Sequence, residues 1–250
     1  YPTKGEGAIT SLSDNVIRIP VIVFGHGFKL PEKSYRNIVD LLVSQGFIVA
    51  FPLTERGFHP SHQELARDLA FVMRTFRQWD QESTSMFYGH ISQRNCIMGH
   101  SMGGGAAVLA ASLGPEISAL ATLNLYNTTP SAAEAAWKVK IPSLFLAGSL
   151  DCVTPPEDHQ VPVYEALAAD DKTFISVTGG THCGMMSSGR LCHLAERTCR
   201  PRDVLPPPEQ QIILERYLLP WLKSRLTDDQ DEKIRMEKLL SADPQVTWNS

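Results

Sequence analysis

The sequence predicts an α/β fold: a parallel sheet covered by helices on both faces. Three observations predict it. Short runs rich in β-branched and apolar residues recur along the chain, and segments with helical spacing separate them. The runs are apolar at successive positions instead of alternating, as strands buried on both faces are. Ile19-Pro20-Val21-Ile22-Val23-Phe24 reads as the first such strand. Tyr35 to Ser44 reads as a helix, with Ile38, Leu41 and Leu42 on one face and Gly46 as its stop. Phe47 to Phe51 is the next strand. Ser61-His62-Gln63-Glu64 is a capping box and opens a helix to about Trp79. Arg94 to Met98 reads as a strand, Gly103 to Leu113 as a helix, and Ile117 to Tyr126 and Ser143 to Ala147 as strands. Val161 to Ala169 reads as a helix and Phe174 to Val177 as a short strand. Pro206-Pro207-Pro208 launches a last helix to about Leu226, since proline suits a first turn. Residues 1–226 are thus expected to form one domain, and the charged stretch 227–250 a tail with at most a surface helix.

With 43 % apolar residues, the 250-residue chain can bury a sizeable core. The net charge is −4 and no basic block occurs, so nucleic acid is not an expected partner. No apolar run reaches the roughly 18 residues of a membrane span, and no signal peptide is visible. The five cysteines are Cys96, Cys152, Cys183, Cys192 and Cys199; four of them fall after residue 150 in loop-like sequence. Clustered loop cysteines predict disulfides and an oxidising compartment, hence a secreted or periplasmic protein. A zinc centre is the rival reading. It fails on spacing, because no C-x₂₋₄-C pair exists, so neither metal nor cofactor is expected.

The chemistry is concentrated around Cys96-Ile97-Met98-Gly99-His100-Ser101-Met102-Gly103. Gly99 to Gly103 fits G-x-S-x-G, a sharp strand-to-helix turn that exposes a strained serine. The pattern alone arises by chance in about one chain in ten of this length, so its context decides. A serine hydroxyl needs a base, and the base an orienting carboxylate, in the order Ser, Asp, His. Asp151 follows the run Ser143 to Ala147, and His182 follows Phe174 to Val177 after two glycines. Both fall just past a strand, where the carboxyl ends of a parallel sheet gather a site. Glu157 and Asp158 are rival acids deeper in the loop. An oxyanion hole needs two backbone N–H groups. Met102, after the nucleophile, offers one, and Phe28 in the loop Gly25-His26-Gly27-Phe28 offers the other. His26 and His100 read as supports for loop and elbow.

These segments resemble α/β-hydrolase esterases of the dienelactone-hydrolase-like group, most of all bacterial polyester hydrolases of the cutinase and PET-hydrolase type. The resemblance runs from Tyr1-Pro2-Thr3 to about Leu222. Gly99 to Gly105 matches their G-x-S-M-G-G-G elbow, and Ser44-Gln45-Gly46-Phe47 their Ser-x-Gly-Phe. The loop of Phe28 matches their oxyanion loop, and Tyr126 stands where an aromatic, often Trp, contacts substrate. Residues 183–208 form a longer, cysteine-containing insertion than such enzymes carry. The resemblance implies an α/β-hydrolase fold without a cap domain, since the stretch from Tyr126 to Ile141 is too short to build one.

The expected activity is that of a monomeric serine carboxylic-ester hydrolase on bulky or polymeric esters. Ser101 is its nucleophile, Asp151 its acid and His182 its base, with Phe28, Met102 and Tyr126 lining the cleft. A serine peptidase, or a thioesterase or acyltransferase, shares the triad; a non-catalytic binding protein would typically lack one of its members. If Asp151 and His182 touch, the cysteines that follow them lie on adjacent loops. This predicts disulfides Cys152–Cys183 and Cys192–Cys199, with Cys96 free; the alternative, Cys183 with Cys192, would leave the loop of Asp151 untied.

Overall fold

The computed structural model describes residues 18–114, 116–187, 189–199 and 202–249. The Tyr1-Pro2-Thr3 start of the resemblance lies outside them. The elements are β1 (Val21–Gly25), α1 (Arg36–Ser44, entered through a 3₁₀ turn Glu32–Tyr35), β2 (Ile48–Ala50), α2 (His62–Gln81), β3 (Cys96–His100) and α3 (Met102–Ala111). There follow β4 (Ala119–Leu123), α4 (Ala132–Ala136), β5 (Ser143–Gly148), α5 (Pro156–Ala166), β6 (Lys172–Val177), α6 (Arg190–Cys199), α7 (Pro207–Leu226), α8 (Gln230–Ala242) and β7 (Val246–Asn249).

The strands form one seven-stranded sheet in the order β2-β1-β3-β4-β5-β6-β7. Every pairing is parallel except the last, where β7 lies antiparallel on β6. Successive residues alternate between two cores. Val21 and Val23 face the side of α2, α3 and α4, while Ile22 and Phe24 face that of α1, α7 and α8. The sheet is therefore sandwiched, as the continuous apolar runs require. Only half of the expected capping box at Ser61 forms: the Ser61 hydroxyl accepts the Glu64 N–H at 3.2 Å, while the Ser61 N–H donates to Glu55 Oε2 at 2.6 Å and not to Glu64.

Three stretches differ from the sequence reading. The 227–250 segment is no tail outside the fold. It supplies α8 and the edge strand β7, and Met236, Leu240 and Val246 join the core. Two buried positions four residues apart in a charged helix give too weak a stripe to read, and β7 has only four residues. α5 starts at Pro156, five residues before the predicted start, because Pro155-Pro156 opens the helix that Glu157 and Asp158 then continue. The cysteine-containing insertion holds α6, which the sequence reading did not contain. No helix among the described residues is long and apolar enough to cross a membrane.

Candidate active site

Ser101 sits between β3 and α3 with φ 55° and ψ −124°, a left-handed backbone that L-residues rarely adopt. The turn is held from three directions: Ser101 N–H donates to Leu123 O at 3.0 Å, and Ser101 O accepts from Gly104 N–H at 2.9 Å and Tyr126 N–H at 3.0 Å. The flanking glycines are steric needs. A Cβ on Gly103 would run into the backbone carbonyls of Gly25 and His26, and one on Gly99 into the backbone of Gly103. β1, β3 and α3 thus touch backbone to backbone.

At the carboxyl ends of β5 and β6, His182 Nδ1 lies 2.7 Å from Asp151 Oδ2. A carboxylate can only accept, so the ring proton sits on Nδ1 and Nε2 keeps its lone pair. The other oxygen of Asp151 accepts from the N–H groups of Val153 at 3.0 Å and Thr154 at 2.8 Å. Asp151 therefore caps its own turn with one oxygen and meets His182 with the other. Thr154 went unrecognised in the sequence. Its hydroxyl lies 2.7 Å from Asp151 Oδ2 and 3.0 Å from His182 Nδ1, wedged against both. The D-x-x-T spacing was its only signal. Asn124 went unrecognised too: its Nδ2 donates to the carbonyls of Thr181 and His182, each at 3.0 Å, and fixes the backbone of His182. Glu157 and Asp158 are exposed on α5.

Phe28 N–H and Met102 N–H donate no hydrogen bond among the described residues, so both donors are unspent. The Gly27 carbonyl, in the same peptide unit as Phe28 N–H, accepts from Leu30 N–H at 3.1 Å and lies 2.9 Å from His26 Nδ1, which sets that unit's orientation. Phe28 is 48 % exposed. Met102 is 2 % exposed, its side chain packed in the α2/α3 core. Tyr126 is half-buried, with the rings of His159 and His62 at 4.9 and 5.8 Å. Burial lowers the pKa of both histidines.

The predicted disulfides are not those observed. Cys152 pairs with Cys199 and Cys183 with Cys192, at Cα separations of 6.2 and 5.8 Å, and Cys96 is free and buried. Helix α6 is the reason. Cys192 and Cys199 lie seven residues apart within it, about 10 Å along its axis, beyond the span of a disulfide. Each instead reaches the loop beyond one end of the helix. Glu196, between them, accepts the Cys183 N–H at 2.7 Å. Cys183, His193 and Glu196 bring metal-type donors within 4.8 Å of one another. The Cys183 sulfur is spent in its disulfide, however, and Glu196 on the Cys183 N–H, so this set does not fit a metal ion.

The family model described as PETase, PET hydrolase-like, matches residues 3–247. A bis(hydroxyethyl) terephthalate hydrolase of Streptomyces coelicolor is 26 % identical over 90 % of this chain and 63 % of its own length. A cutinase of Thermobifida alba is 31 % identical over 56 % of this chain and 45 % of its own. Cutinase 1 of Thermobifida cellulosilytica is 34 % identical over 36 % of this chain and 34 % of its own. The chain thus spans less than two thirds of the length of these relatives.

Proposed function

The chain belongs to the PET hydrolase-like family, an α/β-hydrolase fold, and we propose that it is a serine carboxylic-ester hydrolase acting through Ser101, His182 and Asp151. The observation that carries the reading is the 2.7 Å contact of Asp151 with His182 Nδ1, which leaves Nε2 as the basic nitrogen. Ser101 attacks the ester carbonyl as His182 takes its proton. The tetrahedral oxyanion forms against Phe28 N–H and Met102 N–H, both free to donate. His182 then protonates the leaving alcohol, and the acyl group stays on Ser101. Water, deprotonated by the same nitrogen, releases the acid. Asp151 holds the tautomer and stabilises the imidazolium throughout.

The substrates are bulky or polymeric esters, bound beside the exposed Phe28 ring and Tyr126. The family, and the names of its terephthalate-ester and cutin-cleaving relatives, support that class. The protein acts as a monomer in a secreted or periplasmic setting, where two disulfides persist. The deciding experiment sets a panel of p-nitrophenyl esters beside a polyester film and a peptide anilide. Cleavage of the esters and release of acid from the film, with the anilide intact, is the expected result. Anilide cleavage without ester cleavage would replace the reading with a peptidase.

A further inference from the structure

Tyr35 and His100 stand between three parts of the site. Both are fully buried. The Tyr35 hydroxyl lies 2.8 Å from Gly27 N and 3.0 Å from His100 Nδ1. His100 Nε2 lies 2.9 Å from the carbonyl oxygen of His182. Gly27 precedes the oxyanion donor Phe28, His100 precedes the nucleophile Ser101, and His182 is the base. We propose that Tyr35 and His100 are positioning residues: one hydrogen-bonded chain, from Gly27 N–H through Tyr35 and His100 to His182 O, sets oxyanion loop, nucleophile elbow and base against one another. The inference rests on the reading of Ser101 and His182 given above.

Donor and acceptor chemistry permits one arrangement of this chain. Gly27 N–H can only donate, so the Tyr35 oxygen accepts from it. The hydroxyl proton is then free for His100 Nδ1, which must be bare. The imidazole proton therefore sits on Nε2, and the His182 carbonyl accepts it. Every link runs in one direction, and each group has the protonation that its burial favours. Burial raises the Tyr35 pKa, keeping the phenol intact. Burial, with the charge of His182 second, holds His100 well below the ordinary histidine range and keeps it neutral.

The pair does more than fill space. Tyr35 also packs its ring against Phe24 and Phe51, at 4.9 and 5.5 Å, and Phe could do that equally. The hydroxyl reaches past this packing to the oxyanion loop. His100 reaches from the elbow to a carbonyl that Asn124 already grips from the end of β4. Loss of either polar group would let the oxyanion loop or the base loop settle independently of Ser101. Reacting groups misplaced by about 1 Å can cost on the order of 100-fold in rate.

The test compares wild type, Ser101→Ala, Tyr35→Phe, His100→Asn and the Tyr35→Phe/His100→Asn double variant on p-nitrophenyl butyrate. It also measures thermal midpoints and inhibition by a trifluoromethyl ketone, which forms an oxyanion on the nucleophile. Tyr35→Phe is expected to lower kcat about 10- to 100-fold with KM nearly unchanged, and to weaken the ketone by a similar factor. The double variant should lose little more than the worse single one, because both belong to one chain. A merely structural pair would shift the thermal midpoint and leave kcat alone. Wild-type kcat in either folded variant, or fully additive losses, would overturn the proposal. If Tyr35→Phe fails to fold, His100→Asn decides: its amide oxygen can still accept from Tyr35, but it has no donor that reaches His182. A wild-type protein inert toward the ester, or a Ser101→Ala variant as active as wild type, would instead remove the reading on which the proposal stands.

Discussion

Ser101 is held by backbone packed on backbone, whereas Asp151 and His182 are held by side chains and sulfur. Around the serine, β1, β3 and α3 approach so closely that glycine alone fits at positions 99 and 103. On the other side, two loops after β5 and β6 meet through the Asp151–His182 contact. Helix α6 ties both loops: Cys199 bonds to Cys152, next to Asp151, and Cys192 bonds to Cys183, next to His182. The difference teaches where tolerance lies. The serine side has no slack that a mutation could use. The acid–base side is assembled from loops that need tying, and it can be loosened in steps.

Gly103→Val should break the first half outright. Its side chain would meet the carbonyls of Gly25 and His26, which belong to the sheet and its loop and cannot retreat. A loss on the order of 5 kcal/mol, the scale of the most damaging core changes, is expected, read as absent or unfolded protein by circular dichroism. A folded, active variant would show that the close approach is dispensable.

On the other half the two disulfides should differ. Cys152–Cys199 closes 47 residues and Cys183–Cys192 only 9. Loop-closure entropy then assigns about 4 kcal/mol to the first and roughly 2.5 to the second. Serine pairs at 152/199 should therefore lower the thermal midpoint further than pairs at 183/192, and both should lower kcat while S101-side geometry stays intact. Equal midpoints would mean that the bonds do not act by closing loops.

That half is also where the sequence was least legible. The strained turn at Ser101 and the meeting of Asp151 with His182 could be read because each residue has a short local signature at a strand end. Pairing of four cysteines could not, because it depends on whether residues 190–199 are a helix. Its apolar stripe is Leu191, Leu194 and Ala195 among cysteines and charges, a pattern that fits a loop equally well. Thr154 and Asn124 were hidden for another reason: the Thr154 hydroxyl meets His182 28 residues on, and the Asn124 amide reaches carbonyls 57 and 58 residues on, which no local spacing shows. Edge strand β7 was lost in a charged context with few apolar positions.

Glu196 sharpens the comparison without touching sulfur. Glu196→Ala removes the acceptor of the Cys183 N–H, at 2.7 Å. Leaving that donor unpaired should cost about 1–2 kcal/mol, with a several-fold fall in kcat, measured with the disulfides verified intact. No change would confine the tie made by α6 to its two covalent bonds.

The smallest effect is one of pH. His100, on the serine side, is kept neutral by burial, its pKa well below the ordinary value. The unfolded chain would bind this proton below about pH 6.5 and the folded chain would not. Its contribution is therefore complete above that pH and declines as pH falls below it, by roughly 0.8 kcal/mol at pH 6. Denaturant titrations of wild type and His100→Asn at pH 8 and pH 6 should differ by about this amount; identical pH slopes would deny His100 the part.

The central claim is that Ser101 is activated by the loop-borne half of the site. Labelling with a fluorophosphonate, followed by peptide mapping, tests it most directly. The account predicts one adduct per chain, on Ser101, formed at least about 1,000-fold more slowly in His182→Ala. An adduct on another residue, or a His182→Ala variant labelled as fast as wild type, would contradict it.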